Sequence, residues 1–559
     1  MAWVGVRALI AKAELESALP KVSQIKDDLK AVDLDAAQAT IGEVASSTAN
    51  ARALTSDPIW RMFELIPLAG PNLTGFRELA AIADDIVANV MLPVASLGDT
   101  LDPSALKPVD GRIDPTVFDE AEPVISAARQ ALEQSYQDVL DLDTSATVAP
   151  IAAAHKQVEG MLAPLVPVMG QADDFVKLLP GLLGADGPRT YLLVFQNNSE
   201  SRALGGHAGS WVEITVDNGK ISLNRQSSVH ELKTGGVPPI ALPSEQLAVW
   251  PGAGQDPSNV TMVPRLDQSA ETAAAFWAKK FGSTPDLVIF VDPVALGYIL
   301  SATGPIELPT GDIIDSETAG DFLLNGVYLK YPDPTTQDLV FNTLASTLFG
   351  SVLGGNFDPA KAAQAALRAG DEHRLLIWSF DTNEQDTFKS LPFDLSTPQT
   401  TEARTEFGVY ITDNLGSKMT YYVDAQVELG HAQCSTGDYQ YAVRVTLKNI
   451  VTAEEGPLLP TYVANISKGA LRVLVTIYAP PGSSIVRELA VGWDPTYMTL
   501  NGADGEYPVM TQRVILNPEE SVTGTFIIAT DDADLDKKLG AYVTPLARPI
   551  PVSEFDFTC

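Results

Sequence analysis

Residues able to do chemistry crowd together between positions 191 and 220, YLLVFQNNSESRALGGHAGSWVEITVDNGK. Two apolar, β-branched runs at 191–195 and 211–216 read as strands. Between them lie Asn197, Asn198, Glu200, Arg202, Gly205 and Gly206. Side-chain amides, glycine-freed backbone N–H groups and one guanidinium in a loop at a strand end are suited to holding an anion. An amide-rich turn in which Glu200 and Arg202 pair with their neighbours fits the same residues. Arg265 and Asp267 stand just before a helical pattern that starts near Gln268. A helix amino end beside an arginine is a natural anion site, and Asp267 acting only as its cap is the plain alternative. Asp292 closes the apolar run 287–291, which reads as a buried central strand. A carboxylate there can hold a cation in the crevice beyond the strand end, or can simply cap a helix ahead of Pro293.

Other chemistries find no support in the spacing. His207 and His230 flank this region, yet no H-x-x-x-H or H-E-x-x-H pattern occurs, which argues against zinc. Ser210 and Ser351 follow glycines without forming G-x-S-x-G, so a serine hydrolase reading fails. His155, the lone histidine of the amino-terminal third, has no partner at ligand spacing.

The elements that must position these residues fall into three textures. Residues 1–187 are rich in alanine, leucine, glutamate and lysine at helical spacing, with Leu15, Leu19, Val22, Ile25 and Leu29 as one stripe. They predict a helical bundle or stalk, with breaks near Asp33, Asp57-Pro58 and residues 67–72 and 101–115. Residues 188–387 alternate strand-like and helical runs, predicting a central α/β domain with a mixed sheet. Asp217-Asn218-Gly219-Lys220 is a tight hairpin turn within it, because Asn-Gly accepts positive φ. Residues 388–559 alternate β-branched and polar residues between turn signals, predicting an all-β sandwich. The fold class expected is therefore multidomain α+β.

At 559 residues, 45% hydrophobic and 19% charged, the chain is long enough for several cores. With 71 acids against 37 bases the net charge is −34, which repels nucleic acid and anionic lipid alike. The only cysteines are Cys434 and Cys559. A terminal cysteine makes sense as a tether, so the two are predicted to pair, against the alternative of two unrelated thiols. Closing a loop of roughly 120 residues stabilises by ~4–5 kcal/mol in the chain-entropy model. No stretch reads as long and apolar enough to span a bilayer. The apolar lead at residues 2–6 runs into a helix without a cap, which leads us to expect a membrane anchor upstream of it.

Gln196-Asn197-Asn198, Glu200, Arg202, Gly205-Gly206 and the turn at 217–220 carry a resemblance to a bacterial envelope family, domain of unknown function 4012 (DUF4012). Pro264-Arg265-Leu266-Asp267, Asp292-Pro293 and Thr303-Gly304-Pro305 extend it in order, over about residues 55–530. The same elements also resemble, more weakly, the LytR-CpsA-Psr (LCP) phosphotransferases, which move lipid-pyrophosphate-linked glycopolymers onto peptidoglycan. That resemblance implies an extracytoplasmic, membrane-anchored envelope protein of a Gram-positive bacterium, acting on a lipid-linked glycopolymer or cell-wall polysaccharide. Arg202 falls where the first loop arginine of those enzymes sits, and an Asp such as Asp292 or Asp267 would help to hold Mg2+; the residues by themselves fix no cofactor. The region of the later arginine cluster, residues 328–338, reads YLKYPDPTTQD, with Lys330 as its only base. Guanidinium donors are thus missing where a pyrophosphate must be neutralised. Two functions follow as expectations: a glycopolymer phosphotransferase, or a non-catalytic envelope binding or scaffold protein that has lost transfer.

Overall fold

The computed structural model describes residues 2–31, 33–100, 106–394, 397–435, 437–491, 499–530 and 535–559. The chain divides into two compact units, one holding everything up to Gly187 together with Asp217–Lys220, the other Pro188–Val216 and Ile221–Cys559. The architecture is mixed α+β: helices first, then several sheets.

In the first unit, helices Ala2–Lys30 and Leu34–Thr55 pair, followed by Pro58–Phe63, Gly70–Ile86, Leu92–Thr100, Phe118–Asp141, Ala149–Leu162 and Leu165–Leu182. Their starts follow the cap signals. Asp33 accepts from the Ala36 N–H at 3.1 Å, and Asp57 accepts from Ile59 and Trp60 with Pro58 at the first helical position. The apolar lead at 2–6 is itself part of the first helix. The expected leucine stripe is corrected. Val4, Ala11, Ala18 and Ile25 are buried, a strict spacing of seven, while Leu19 and Leu29 are exposed. Small alanines let the second helix approach closely, so the seam with Ile41, Val44 and Ala51 forms on them rather than on the bulkier leucines. Part of the break expected at 101–115 lies on residues 101–105, outside the described residues.

Gly70–Leu97 runs as one helical stretch long and apolar enough, by length and composition, to cross a membrane, which corrects the reading that no such stretch exists. Arg77, Glu78, Asp84 and Asp85 obscure it in sequence. Its Leu79, Ala80, Ile82, Val87 and Val90 are buried within the helical unit.

The second unit holds the sheets. Its strands are β1 (Arg189–Arg202), β2 (Gly205–Asp217), β3 (Lys220–Ser228), β4 (Leu287–Val291), β5 (Ile306–Glu307), β6 (Ile313–Ile314) and β7 (Leu375–Ser379). There follow β8 (Arg404–Asp413), β9 (Val423–Gln433), β10 (Tyr439–Asn449), β11 (Leu471–Tyr478), β12 (Ser484–Val491) and β13 (Thr499–Asp504). The last are β14 (Tyr507–Leu516), β15 (Ser521–Thr530), β16 (Lys538–Val543) and β17 (Val552–Glu554).

Among the described residues, one five-stranded sheet has the order β3-β2-β1-β4-β7, with β1 and β4 parallel and β1–β2 and β4–β7 antiparallel. The β2–β3 turn carries Asn218 and Gly219 at φ 46° and 77°, as the Asn-Gly signal predicts. The helix Leu266–Phe281 covers one face, where Phe276 and Trp277 pack with Leu192, Val194, Val288 and Phe290. On the other face Phe195 and Val291 meet Ala295 and Ala369.

Two further five-stranded sheets, β12-β15-β10-β9-β17 and β13-β14-β11-β8-β16, share one hydrophobic core. Phe407, Val427, Val443, Val475 and Phe526 lie in it, as do Leu323, Val327 and Leu344 from the helical segments before β7. Cys434 and Cys559 form the expected disulfide, with Cα atoms 5.5 Å apart. It staples the tail that β17 lays parallel on β9, where the Phe555 N–H donates to Leu429.

Candidate functional site

Residues 197–206 are not a loop. β1 continues through Asn197, Asn198, Glu200 and Arg202, and only Ala203 and Leu204, both fully buried, separate it from β2. The expectation of a solvent-facing loop is corrected, because distant hydroxyls take over the backbone of the hairpin tip. The Ser201 N–H donates to Thr420 Oγ1 at 3.0 Å, and Thr420 Oγ1 donates to the Ser199 carbonyl at 2.6 Å. Thr261 Oγ1 donates to the Gly206 carbonyl and Thr544 Oγ1 to that of Ala203. Gly205 sits at φ 133°, where a Cβ would also strike Gln196 Oε1 at 2.2 Å. Gln196 Oε1 accepts from the Gly206 N–H at 2.7 Å, so the glycines permit a close strand crossing rather than an open anion cradle.

Arg202 is 6% exposed. Its Nε donates to Asn259 Oδ1 at 3.0 Å, Nη1 to the Ser201 carbonyl at 2.9 Å and Nη2 to Glu200 Oε1 at 3.0 Å. The other oxygen of Glu200 lies 3.9 Å from Nζ of Lys418, a lysine only 8% exposed that sits 4.7 Å and 4.9 Å from the ring centres of Tyr328 and Tyr462. Burial would raise the Glu200 carboxyl, but His207, Arg202 and Lys418 outweigh it and hold it below the usual carboxylate range. Burial lowers the Lys418 ammonium, with Glu200 and Asp413 opposing, and pushes His207 down to about 4. Burial raises nearby Asp413, whose carboxylate accepts from Ser417 Oγ at 2.7 Å. Asn197 Nδ2 donates to the Tyr328 hydroxyl at 2.7 Å.

Asp292, 1% exposed, does cap its helix: Oδ1 accepts from the Ala295 N–H at 2.8 Å. Its Oδ2 accepts from Asn198 Nδ2 at 2.8 Å and from Arg374 Nη1 at 2.7 Å. Arg374 continues to Glu372 through Nε and to the Leu546 carbonyl through Nη2, while Asn198 also donates to the Pro545 carbonyl. Both oxygens of Asp292 are thus taken, one by an arginine, and such a donor set does not fit Mg2+. Among the described residues no group of three or more His, Cys, Asp or Glu is placed to hold a metal ion.

Arg265 belongs to a different cluster. Its Nε donates to Asp504 Oδ1 at 2.9 Å, and Asp504 also accepts from Gln246 and from the Tyr478 hydroxyl, on which Trp250 Nε1 donates. Asp267 lies inside the first turn of its helix, whose cap position is Arg265, so its expected capping role is corrected. The structure therefore brings Asn197, Asn198, Glu200, Arg202 and Asp292 to the neighbouring ends of the parallel strands β1 and β4, and gives Arg265 partners that Arg202 does not share. Sequence reasoning missed Asn259, Arg374, Asp413, Lys418 and Thr420. They lie far along the chain from the 197–206 segment and carry no motif. Lys330, the lone base of the 328–338 region, pairs instead with Asp312.

Residues 186–328 match the family model described as Protein of unknown function (DUF4012). The chain carries a DUF4012 domain. The match takes in the hairpin tip, Arg265, Asp267, Asp292 and Tyr328, so the DUF4012 segment supplies one side of each cluster. Arg374, Lys418, Asp504 and Pro545 lie beyond it. No curated protein and no solved structure matches the chain.

Proposed function

We propose that this is a membrane-associated, extracytoplasmic envelope protein that holds an anionic or lipid-linked glycopolymer, or a partner in its assembly, without transferring it. The β1–β2 hairpin and the crossover to β4, ending in Asp292, support an LCP-like reading of the central sheet. Two five-stranded sheets around one core support a carboxyl-terminal β-sandwich. The observation that carries the non-catalytic reading is the saturation of the expected chemistry. The N–H groups of Arg202 serve Glu200, Ser201 and Asn259, and Asp292 is bound by Asn198 and Arg374. A phosphoryl-transfer site needs such groups aimed at charge on a substrate. Here the Arg202 bonds stay within the hairpin tip and Asn259, while Asn198 and Arg374 carry the Asp292 pair on to the carbonyls of Pro545 and Leu546. The test is incubation of the purified protein with a polyprenyl-pyrophosphate oligosaccharide, an acceptor glycan and Mg2+. Binding of the saccharide without release of lipid phosphate or pyrophosphate is the expected result, and release at a rate proportional to enzyme would overturn the reading.

A further inference from the structure

The loop from Asp413 to Lys418 sets one amine in a fixed place. The Asp413 carboxylate accepts from the N–H groups of Leu415, Gly416 and Ser417 at 3.0, 2.6 and 3.1 Å, and the Lys418 N–H donates to the Val463 carbonyl at 2.8 Å. That last bond ties the loop to the short helix Thr461–Ala464, which carries Tyr462. The helix ends on Asn465 at φ 52° and ψ −130°, a strained conformation for a residue with a Cβ. Its side-chain amide holds it there, donating to the Leu415 and Gly416 carbonyls at 2.9 and 3.3 Å. Lys418 and Tyr462 are thus fastened to each other on both sides.

The amine so placed has no hydrogen-bond partner. Lys418 is 8% exposed, yet among the described residues its Nζ makes no hydrogen bond: Glu200 Oε2 stands 3.9 Å away, and its other neighbours are the rings of Tyr328 and Tyr462. Glu200 Oε1 is bonded to Arg202, which leaves Oε2 across the gap from the amine. Tyr328 is buried, with its hydroxyl held by Asn197, whereas Tyr462 is 56% exposed. The side chains of Lys418 and Glu200 keep 10% and 14% of their surface in solvent, and the way to them runs along Tyr462.

Charge and spacing select the occupant. Lys418 and Arg202 stand against Glu200 and Asp413, two cations against two carboxylates, and His207, pushed down to about 4 by burial, is neutral near pH 7. An anion in the gap would meet Glu200, and a cation would meet Lys418. A hydroxyl suits both: its oxygen, ~2.8 Å from each, accepts from Nζ and donates to Oε2. An exposed aromatic ring beside such a donor and acceptor fits a molecule with a polar rim around apolar C–H groups. We propose that Lys418, Glu200 and Tyr462 form a saccharide subsite, which reads the hydroxyl rim of a pyranose while the sugar's C–H groups pack against Tyr462. It rests on the reading that the protein holds a glycopolymer, and adds that neutral sugar hydroxyls, not anionic groups, are bound here.

The test is titration of the full chain, followed by saturation-transfer NMR, with a polyprenyl-pyrophosphate-linked oligosaccharide of neutral hexoses and with the same oligosaccharide freed of lipid and phosphate. The wild type should bind both. Lys418→Met, which keeps the buried stem and removes the donor, should weaken binding of the free oligosaccharide about tenfold or more, as should Tyr462→Ala, while Tyr462→Phe retains it. Urea midpoints show which variants are folded; should Lys418→Met not fold, the contrast between Tyr462→Ala and Tyr462→Phe carries the test. Equal binding of the free oligosaccharide by wild type and Tyr462→Ala overturns the subsite and leaves the glycopolymer reading standing, as does binding of the lipid-linked form alone. Binding of neither form by the wild type overturns both.

Discussion

Replacing Arg202 by lysine is the sharpest perturbation of the candidate site. An arginine in a solvent-facing loop would tolerate the change in stability and lose only ligand affinity. The structure predicts the opposite. The guanidinium is buried and donates in three directions, to Asn259, the Ser201 carbonyl and Glu200. A lysine ammonium reaching the same place can keep the ion pair with Glu200 but cannot reproduce the planar fork. It leaves the buried Ser201 carbonyl and the partly buried Asn259 Oδ1 without those donors, at ~1–3 kcal/mol for the buried acceptor and less for the part-exposed one. The expected loss for Arg202→Lys is therefore about 2–4 kcal/mol. Arg202→Ala should lose about 3–5 kcal/mol, because Glu200 then loses the guanidinium that hydrogen-bonds it and keeps only the more distant Lys418 and His207 as compensating neighbours. The assay is urea unfolding followed by tryptophan fluorescence, since Trp211, Trp250 and Trp277 are buried in the unit that contains Arg202. A midpoint for Arg202→Lys indistinguishable from wild type, with saccharide binding abolished, would refute the clamp and return Arg202 to a ligand-binding role.

Removing Arg374 from the Asp292 pair, as Arg374→Met, should cost ~3–5 kcal/mol by leaving a buried carboxylate uncompensated, whereas Asp292→Asn/Arg374→Met should cost less than the two single changes summed. Additive losses in that double-mutant cycle would rule out direct coupling. Reducing the Cys434–Cys559 bridge should lower the unfolding midpoint, by at most the ~4–5 kcal/mol of the chain-entropy model, and free-thiol titration of the unfolded, unreduced protein should find none. His207 and His373 are both pushed down to about 4 by burial, so below their unfolded value near 6.5 the unfolded chain binds protons that the folded one refuses. Stability should fall as pH drops from about 6.5 toward 4. Asp394, raised to about 6 by burial, works in the opposite sense over part of that window but is one group against two. His373→Asn, which tolerates the φ of 57° at that position, should flatten the pH dependence, and an unchanged slope would exclude His373 as a contributor.

What could be read from sequence and what could not follow from where each residue finds its partners. The Asn218-Gly219 turn, the Asp57-Pro58 start and the Asp292 cap are decided within four residues of themselves, and each is seen as expected. The helix-then-sheet order was legible because strand and helix periods are local properties. The state of residues 197–206 was not. Asn, Ser, Glu, Arg and Gly in succession make a loop when water is their partner. Here the partners are Thr261, Thr420 and Thr544, hydroxyls supplied from far along the chain. The same holds for Arg202 and Asp292: their residue types announced a charged site, but whether such a group faces a ligand or the protein depends on Asn259, Lys418 and Arg374, which no spacing rule connects to them. A buried arginine and a buried aspartate remain costly unless fully paired, and in this chain both are. The pairing argues that the cluster works by fixing β1 against the later strands, and that whatever surface binds a ligand is held in place by these residues rather than made of them.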